Sequence, residues 1–171
     1  MAEEYLYNVD KHNKVLGKAL KSEIREKDLF HRGVHAYVMN SEGKILVSRR
    51  TKTKDIYPGL LELDQGGGVT YGEEYDEAIK REIEEELGIK NPQLEFLYEY
   101  FVGITKGARG FCRVYICKYD GPITPQPEEI ESYYFATIEE IEKMIKEKPE
   151  DICASSIFAF EKFTEFLRKR E

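Results

Sequence analysis

The pattern of hydrophobic and polar positions near the N-terminus is typical of a hairpin followed by a short helix. Residues 5–9 and 14–19 are runs of strand-forming residues on either side of the polar stretch 10–13. This arrangement predicts a small β-hairpin with a polar turn. Ser22 follows as a suitable N-cap, so we expect a short helix that ends near Asp28.

The rest of the chain mixes strand and helix patterns. Apolar and β-branched runs predict further strands at 33–39, 44–48, 94–102, 110–119 and 130–135. Apolar residues at helical spacing, with capping signals, predict helices at 72–87, 137–146 and 155–170. Gly88 is placed to end the first of these helices, and the proline-rich stretch 121–127 predicts a loop. The irregular order favours an α/β fold in which helices cover a mixed sheet.

Length and composition indicate one globular domain. The chain has 171 residues, of which 41% are hydrophobic and 35% are charged, so an apolar core lies under a very polar surface. We expect a single domain over 1–171, in which the N-terminal hairpin and short helix (1–28) extend a core at 29–171. The start of the chain lacks the pattern of a secretory signal, and there is no run of about 18 apolar residues. A cytoplasmic protein without membrane contact is therefore expected.

The charge balance bears on the class of substrate. There are 33 acidic and 26 basic residues, which gives a formal net charge of -7. Such a chain repels the phosphate backbone of a nucleic-acid polymer. Small phosphate compounds remain suitable substrates because a metal ion can neutralise their charge locally. The sequence does not predict the oligomeric state.

The cysteines and histidines are interpreted as mainly structural. The cysteines are odd in number and have no CxxC spacing, which argues against a disulfide framework and a zinc site: Cys112, Cys117 and Cys153. Free cysteine is among the residue types that are most often buried. The histidines lie near expected strand ends, where a lone histidine is usually structural: His12, His31 and His35.

A cluster of glutamates on the helix after the glycine triplet is the main candidate for chemistry. On a helix, Glu82, Glu85 and Glu86 share one face, so their carboxylates come close together and repel one another. A cation that compensates this repulsion is expected. Oxygen ligands of this kind suit Mg²⁺ or Mn²⁺, which often bind substrate phosphates as well. The alternative interpretation is a glutamate-rich helix with a solvated face.

Neighbouring residues could support such a metal site. Arg81 lies four residues before Glu85 and can orient that carboxylate. Glu73 is expected in the first turn of the helix, where its charge favours the positive end of the helix dipole. Gly67 and Gly68 can bring backbone carbonyls close to a metal or a substrate.

The stretch from Gly67 to Ile89 resembles the complete box of the Nudix hydrolases, because its glycine, glutamate, Arg-Glu, apolar and Glu-Glu positions all match. The resemblance implies an α/β/α sandwich around a mixed β-sheet. It also implies metal ligation by the carboxylates on the shared helix face, with the Gly67 carbonyl as a further ligand.

The wider sequence, from about Tyr5 to the C-terminal helix, resembles the branch that contains isopentenyl diphosphate isomerase and its hydrolase-like relatives. Within this resemblance, Arg50 and Lys54 match cations that hold a diphosphate. The departures are at the isomerase's catalytic cysteine, whose position holds Gly66, and at a metal-binding histidine, whose position holds Gly68. Only His31 matches another histidine of the isomerase. This chain therefore lacks the residues that provide the isomerase with its acid and its metal cage.

These observations favour a metal-dependent hydrolase of a diphosphate bond in a small molecule such as a nucleoside diphosphate derivative. The base that activates water is either a box glutamate or an additional glutamate that Nudix relatives often keep, for which Glu129 is preferred here. Two alternatives remain open: an isomerase-like activity, and a non-catalytic Nudix module that only binds a ligand.

Overall fold

The computed structural model describes residues 3–104 and 106–170 of the chain. Its strands are β1 (Tyr5–Val9), β2 (Val15–Leu20), β3 (Phe30–Met39), β4 (Ile45–Arg50), β5 (Leu61–Glu62), β6 (Gln65–Gly68), β7 (Leu94–Val102), β8 (Gly110–Lys118) and β9 (Ile130–Ala136). Its α-helices are α1 (Lys21–Lys27), α2 (Tyr75–Leu87), α3 (Ile138–Glu147) and α4 (Ala154–Arg170), and one 3₁₀ turn spans Pro149–Asp151. The predicted strands and helices are therefore present, with shifted ends.

Two helix starts differ from the sequence-based expectations. Ser22 is not an N-cap, because α1 begins at Lys21 and the free backbone N–H of Leu20 is instead satisfied by the Glu23 carboxylate, 3.2 Å away. The box helix begins at Tyr75 rather than at Gly72, because a turn precedes it in which Gly72 adopts a φ of 94°. A positive φ of this size is available to glycine and is incompatible with a helix.

The sheet is mixed, and β3 is its central strand. Strand β3 runs parallel to β8 over Met39 to His31 and antiparallel to β6, with Val34 paired to Gly67. The hairpin β1–β2 joins the same sheet through β1, while β4 pairs with β5 and β9, and β7 pairs with β8. The alternation of side chains along β3 therefore sends one set of residues to each face of the sheet.

Helices cover both faces of this sheet. On one face, Ile79 and Ile83 of α2 are fully buried against even-numbered residues of β3. On the other face, α3 and α4 cover the sheet, and the ring of Phe163 stacks on Tyr37 with 3.9 Å between the ring centroids. Each helix thus buries an apolar stripe on the sheet. The expected α/β/α sandwich is confirmed.

The N-terminal hairpin and α1 pack beside the box. Leu6 of β1 lies so close to Gly68 that a Cβ on this glycine would be 2.8 Å from the Leu6 methyl carbons. At the end of α1, Asp28 binds Arg109 at 2.5 Å and accepts a hydrogen bond from the backbone N–H of Gly107 at 2.7 Å. These contacts place α1 along one side of a cavity that the box borders. No helix within the described residues is long and apolar enough to cross a membrane.

Candidate active site

A cavity of about 590 Å³ opens between the box, the N-terminal segment and the loop after β4. Its lining includes all the residues that the sequence suggested for metal and phosphate binding, namely Gly67, Glu82, Glu85, Glu86, Arg50, Lys54 and Glu129, and also Arg81. The volume is in the usual range for small-molecule sites. The structure therefore brings together residues that lie up to 79 positions apart in the chain, from Arg50 to Glu129.

Helix α2 presents the three box glutamates at different depths. Glu82 is buried, with 8% of its surface exposed, Glu86 is half-buried, and Glu85 is exposed. The helix ends as expected, because Gly88 adopts the left-handed conformation with a φ of 67° and donates its N–H to the carbonyl of Glu84. The face of α2 that carries the three glutamates thus extends from the buried Glu82 to the exposed Glu85 at the opening of the cavity.

Arg81 is the hub of a hydrogen-bond network. Its Nη1 donates to Glu82 at 2.7 Å and to Glu85 at 3.3 Å. Its Nε and Nη2 donate to the carboxylate of Glu73 at 2.9 and 3.0 Å, and Nη2 also donates to the carbonyl of Gly68 at 3.2 Å. The guanidinium therefore connects α2 to the glycine strand β6.

Glu73 lies before the helix rather than in its first turn, so the expectation that it favours the helix dipole was wrong. The helix starts at Tyr75, two residues later. The Glu73 carboxylate instead accepts from Arg81 and from the backbone N–H of Thr70, at 3.1 Å. Its contacts are those of a group that holds Arg81 and the turn before α2 in place.

The box carboxylates are poorly compensated. Burial raises the pKa of Glu82, although Arg81 opposes this change. Burial and the nearby Glu82, Glu62 and Glu129 carboxylates raise the pKa of Glu86 well above its usual value. Within the described residues, no side chain donates a hydrogen bond to the Glu86 carboxylate. The site thus contains negative charge that would be stabilised by a cation.

This donor set fits a hard divalent ion. The candidate ligands are all oxygen atoms, and the Glu86 carboxylate accepts no hydrogen bond from the side chains that the structure describes. In the part of the chain that the structure describes, no three acidic, histidine or cysteine side chains form a complete metal cage. An ion that takes some of its ligands from water and substrate phosphates needs no complete protein cage.

The two candidate phosphate-binding cations are each paired with a carboxylate. Arg50 donates from Nη1 to Glu62 at 2.6 Å and from Nε to the carbonyl of Ile56 at 3.1 Å. Lys54 donates from Nζ to the Glu129 carboxylate. Both cations line the cavity, so an incoming phosphate group would compete with these carboxylates for them.

Two polar residues that line the cavity, and the buried carboxylate of Asp64 beside one of them, were missed by the sequence interpretation. Glu62 is one of them, and burial raises its pKa to about 7 although Arg50 opposes this. His35, which we interpreted as structural, lines the cavity, and its Nδ1 lies 2.6 Å from a carboxylate oxygen of buried Asp64. The available signal was the alternation of Glu62 and Asp64 with leucines shortly before the glycine triplet, a period that predicts both carboxylates on one side of an extended segment; in the structure β5 ends at Glu62.

Gly66 and Gly68, which stand where the isomerase has a catalytic cysteine and a metal-binding histidine, are explained by packing in this structure. Gly66 has a φ of 155°, and a Cβ there would lie 2.0 Å from the carbonyl oxygen of Val34. No side chain, cysteine included, can be accommodated at this position without moving β3. Gly68 similarly faces Leu6. The departure at position 66 is therefore required by the backbone, whereas the one at position 68 follows from packing against the Leu6 side chain.

Solved structures with a similar fold include proteins named as MutT or Nudix hydrolases. The crystal structure of DR0079 from Deinococcus radiodurans has a TM-score of 0.75 and is 27% identical, covering 85% of this chain and 90% of that chain. The MutT protein of Methanosarcina mazei has a TM-score of 0.65 at 22% identity, covering 82% of this chain and 94% of that one, which bears on the fold alone. The sandwich and its glutamate helix thus define a protein of the Nudix class.

Sequence comparisons lead to the same class. The NUDIX domain matches residues 29–155. An uncharacterised Nudix hydrolase of Streptomyces coelicolor is 35% identical, covering 85% of this chain and 81% of the relative. One from Pseudomonas aeruginosa is 39% identical, covering 74% of this chain and 75% of the relative. The chain belongs to the NUDIX domain family and is an enzyme of the Nudix hydrolase type. Its placement in the isomerase-like branch stays a prediction.

Proposed function

We propose that this enzyme is a divalent-metal-dependent hydrolase that cleaves the diphosphate linkage of a small molecule such as a nucleoside diphosphate derivative. The observation that carries the proposal is the Glu86 carboxylate, which lies near Glu82 in the cavity, accepts no hydrogen bond from a described side chain, and has its charge only partly offset by Lys54. The net charge of -7 supports a small substrate over a nucleic-acid polymer. A cytoplasmic location is part of the same proposal.

The metal site consists of the box residues. Glu82, Glu85, Glu86 and the carbonyl of Gly67 are the ligands that would hold Mg²⁺ or Mn²⁺. When bound, such an ion neutralises the negative charge of the diphosphate oxygens and of the groups that leave or attack. Arg81, which donates to Glu82 and Glu85, holds these two carboxylates in a fixed orientation, and Glu73 holds Arg81.

Arg50 and Lys54 bind the phosphate oxygens. Arg50 can offer its planar guanidinium to two oxygens at once, whereas Lys54 provides a single point charge. In the structure Lys54 is bound to Glu129. A diphosphate that attracts Lys54 therefore releases the Glu129 carboxylate into the cavity, next to the phosphorus that is to be attacked.

The released Glu129 is the proposed base. It accepts a proton from a water molecule while the oxygen of that water forms a bond to phosphorus. The bond between this phosphorus and the bridging oxygen breaks, and the bridging oxygen leaves with the other phosphate. The reaction consumes one water molecule and needs no oxidant or reductant.

The direct test is a hydrolysis screen over nucleoside diphosphate derivatives, dinucleotides and prenyl diphosphates, with Mg²⁺ or Mn²⁺. Mass spectrometry of the products in ¹⁸O-labelled water identifies the phosphorus that is attacked. We expect a phosphate-containing product from at least one nucleotide-linked compound, and loss of activity on chelation. Absence of hydrolysis across the whole screen with both metals would contradict the proposal.

A stability measurement tests the metal site separately from the substrate. An ion that binds only the folded protein raises its melting temperature, and chelation removes this increase. The effect should be smaller when Glu82, Glu85 and Glu86 are all replaced by Gln, because their mutual repulsion is also gone. Equal shifts on chelation in the wild type and in this triple variant would mean that the metal binds elsewhere.

A further inference from the structure

A second group of reactive side chains lies on the floor of the cavity and has no part in the proposed hydrolysis. Residues Gly33 and His35 of β3 point to the same face of the sheet, and Cys112 of the parallel strand β8 is the register partner of Gly33. Gly33, His35 and Cys112 all line the cavity. The topology thus brings a thiol and an imidazole from distant parts of the chain to one surface.

The imidazole is held by a buried carboxylate. Nδ1 of His35 lies 2.6 Å from Oδ2 of Asp64, and Oδ1 of Asp64 accepts the hydroxyl proton of Ser156 at 2.5 Å. The Ser156 Oγ in turn accepts the backbone N–H of Leu63 at 3.3 Å. The Nδ1 atom of His35 is at ion-pair distance from this carboxylate without hydrogen-bond geometry, so the carboxylate stabilises the protonated ring by its charge. Burial disfavours the charge, but Cys112 and Asp64 together raise the pKa of His35 well above its usual value.

Cys112 lines the cavity on the same face of the sheet as His35, and Gly33 has no side chain beside it. A Cβ on residue 33 would make ordinary van der Waals contacts, 3.8 Å from the Cys112 Sγ and 3.5 Å from the carbonyl oxygen of Gly67. The missing side chain therefore leaves room for a methyl-sized group between the thiol and the backbone of the proposed metal site. A group attached to the thiol would project into the same cavity that contains Glu82 and Glu86.

The other two cysteines provide a contrast within the same molecule. Cys117 and Cys153 are fully buried, and burial raises the pKa of the first to about 11 and of the second to about 12. Neither lines the cavity. Cys112 is 3% exposed, and it is the cysteine that has both an imidazole and a cavity beside it.

We propose that Cys112 is a covalent modification site that takes small disulfides, with His35, which is paired with Asp64, stabilising the attacking thiolate. The nucleophile in thiol–disulfide exchange is the thiolate, and an adjacent imidazolium favours it. The Cys112 sulfur forms a bond to one sulfur of the disulfide, and the bond between the two sulfurs of the reagent breaks. The second sulfur leaves as a thiolate and takes up the proton that Cys112 has lost. One disulfide replaces another, so no further oxidant is needed.

Modification at this site has a consequence for the cavity. The mixed disulfide occupies space beside Gly67, so it blocks the binding of a diphosphate; this consequence rests on the proposed function. Reduction of the mixed disulfide by a free thiol restores the open cavity. The redox state of small thiols would thereby regulate access to the site.

The primary test compares the three cysteines in one native molecule. The folded, metal-free protein is incubated with 2-hydroxyethyl disulfide, which is neutral and small, and the adducts are mapped by peptide mass spectrometry at several times. We expect Cys112 to be modified at least about tenfold faster than Cys117 and Cys153, because it is the cysteine that lines the cavity and has an imidazole on the same face of the sheet. Modification of Cys112 at a rate equal to or below that of the other two would overturn the proposal. This test needs neither a variant nor an assay of hydrolysis.

A second test separates the imidazole from mere access to the thiol. His35→Asn should slow the modification of Cys112 about fivefold or more, because the charge beside the sulfur is lost. His12→Asn is the matched control, since His12 is exposed on the N-terminal turn, and it should leave the rate unchanged. Asp64→Asn, which keeps the size of the side chain, should slow the reaction in the same direction. A wild-type rate at Cys112 in both His35→Asn and Asp64→Asn would reject the role of the imidazole.

A third measurement keeps this proposal distinct from the proposed function. Hydrolysis by the wild type should be lost in proportion to the Cys112 adduct and should return with a reducing thiol. If the adduct forms selectively at Cys112 and hydrolysis is unaffected, the adduct does not block the substrate site and the regulatory consequence fails. If the adduct forms selectively at Cys112 and no compound of the screen is hydrolysed, the proposed function fails while the modification site stands. If hydrolysis is found and no adduct forms, the modification site fails alone.

Discussion

The Glu82 carboxylate lies directly against the Cα of Gly67. A Cβ on Gly67 would be 2.6 Å from Oε1 of Glu82 and 2.7 Å from its Cδ, which is closer than packed atoms approach. The Glu82 carboxylate can therefore keep this position only if residue 67 has no side chain. This contact gives a physical reason for the first glycine of the box.

The contact predicts the effect of Gly67→Ala. The added methyl group should displace Glu82 by about an ångström, and misplacement of this size can cost about 100-fold in turnover. We expect a loss of at least that order, together with a smaller increase in melting temperature when Mn²⁺ is added. The measurements are steady-state kinetics on the best substrate of the screen and thermal melts with and without metal.

Gly68→Ala is the matched control for this variant. Its Cβ would meet the Leu6 methyl carbons at 2.8 Å instead of a carboxylate. Overpacking of this kind typically costs about 1–3 kcal/mol of unfolding free energy, and the Mn²⁺-dependent increase in melting temperature should be retained. If Gly67→Ala also retained the full increase, Glu82 and Gly67 would not form the metal site.

A second prediction concerns the charge of the box helix. Glu85→Gln and Glu86→Gln should each lower turnover by roughly 100-fold or more, because both side chains are proposed metal ligands. The double variant should lose much less than the product of the two effects, since the residues act as one unit. Glu84→Gln is the control, because Glu84 is an exposed neighbour on the same helix that does not line the cavity. Equal activities of all three single variants would argue against the assignment.

The parts of the site that could be predicted from sequence are those that a local pattern encodes. The spacing of Glu82, Glu85 and Glu86 fixes their shared face as soon as the segment is helical. The parts that were missed depend on register between strands and on distant contacts. His35 meets Cys112 only because β3 runs parallel to β8, and Asp64 meets Ser156 across 92 positions of the chain. No local pattern reports such pairs.

A third prediction separates the roles of Lys54 and Glu129, whose side chains form an ion pair. If Lys54 binds phosphate, Lys54→Met should raise KM about tenfold, because a charge-assisted hydrogen bond contributes about 1.5–3 kcal/mol. If Glu129 is the base, Glu129→Gln should mainly lower kcat, by roughly 100-fold or more. A Glu129→Gln variant whose kcat is normal and whose KM is raised would show that Glu129 only positions Lys54.

A fourth prediction concerns the pH dependence of stability of the metal-free protein. Burial raises the pKa of Glu62 from 4.5 to about 7, against the opposing effect of Arg50. The folded state then holds the proton more tightly than the unfolded state. The contribution of Glu62 to the unfolding free energy is therefore fully present below about pH 4.5 and is lost as the pH rises to about 7.

Replacing Glu62 tests this dependence. With about 1.4 kcal/mol per pKa unit, the loss between pH 5 and pH 8 should be roughly 1–3 kcal/mol smaller in Glu62→Gln than in the wild type. Urea unfolding at several pH values in the presence of a chelator measures it. Glu84→Gln, an exposed substitution of the same type, should follow the wild-type curve. Parallel curves for the wild type and Glu62→Gln would mean that the Glu62 carboxyl is not destabilised in its ionised form.

The last prediction separates the hydrolase from the isomerase. Moving a double bond in a prenyl diphosphate requires an acid and a base on opposite sides of the carbon skeleton, in a pocket that excludes water from the reactive cation. Position 66 cannot supply such an acid, because a Cβ there would lie 2.0 Å from the Val34 carbonyl oxygen. We expect no conversion of isopentenyl to dimethylallyl diphosphate under the metal conditions that support hydrolysis of a nucleotide-linked diphosphate.

Cys112 is the remaining thiol at the cavity, so the wild type and Cys112→Ser are assayed together. Isomerisation on the order of 1 per second by the wild type would refute the hydrolase assignment; its loss in Cys112→Ser would then identify that thiol as the acid.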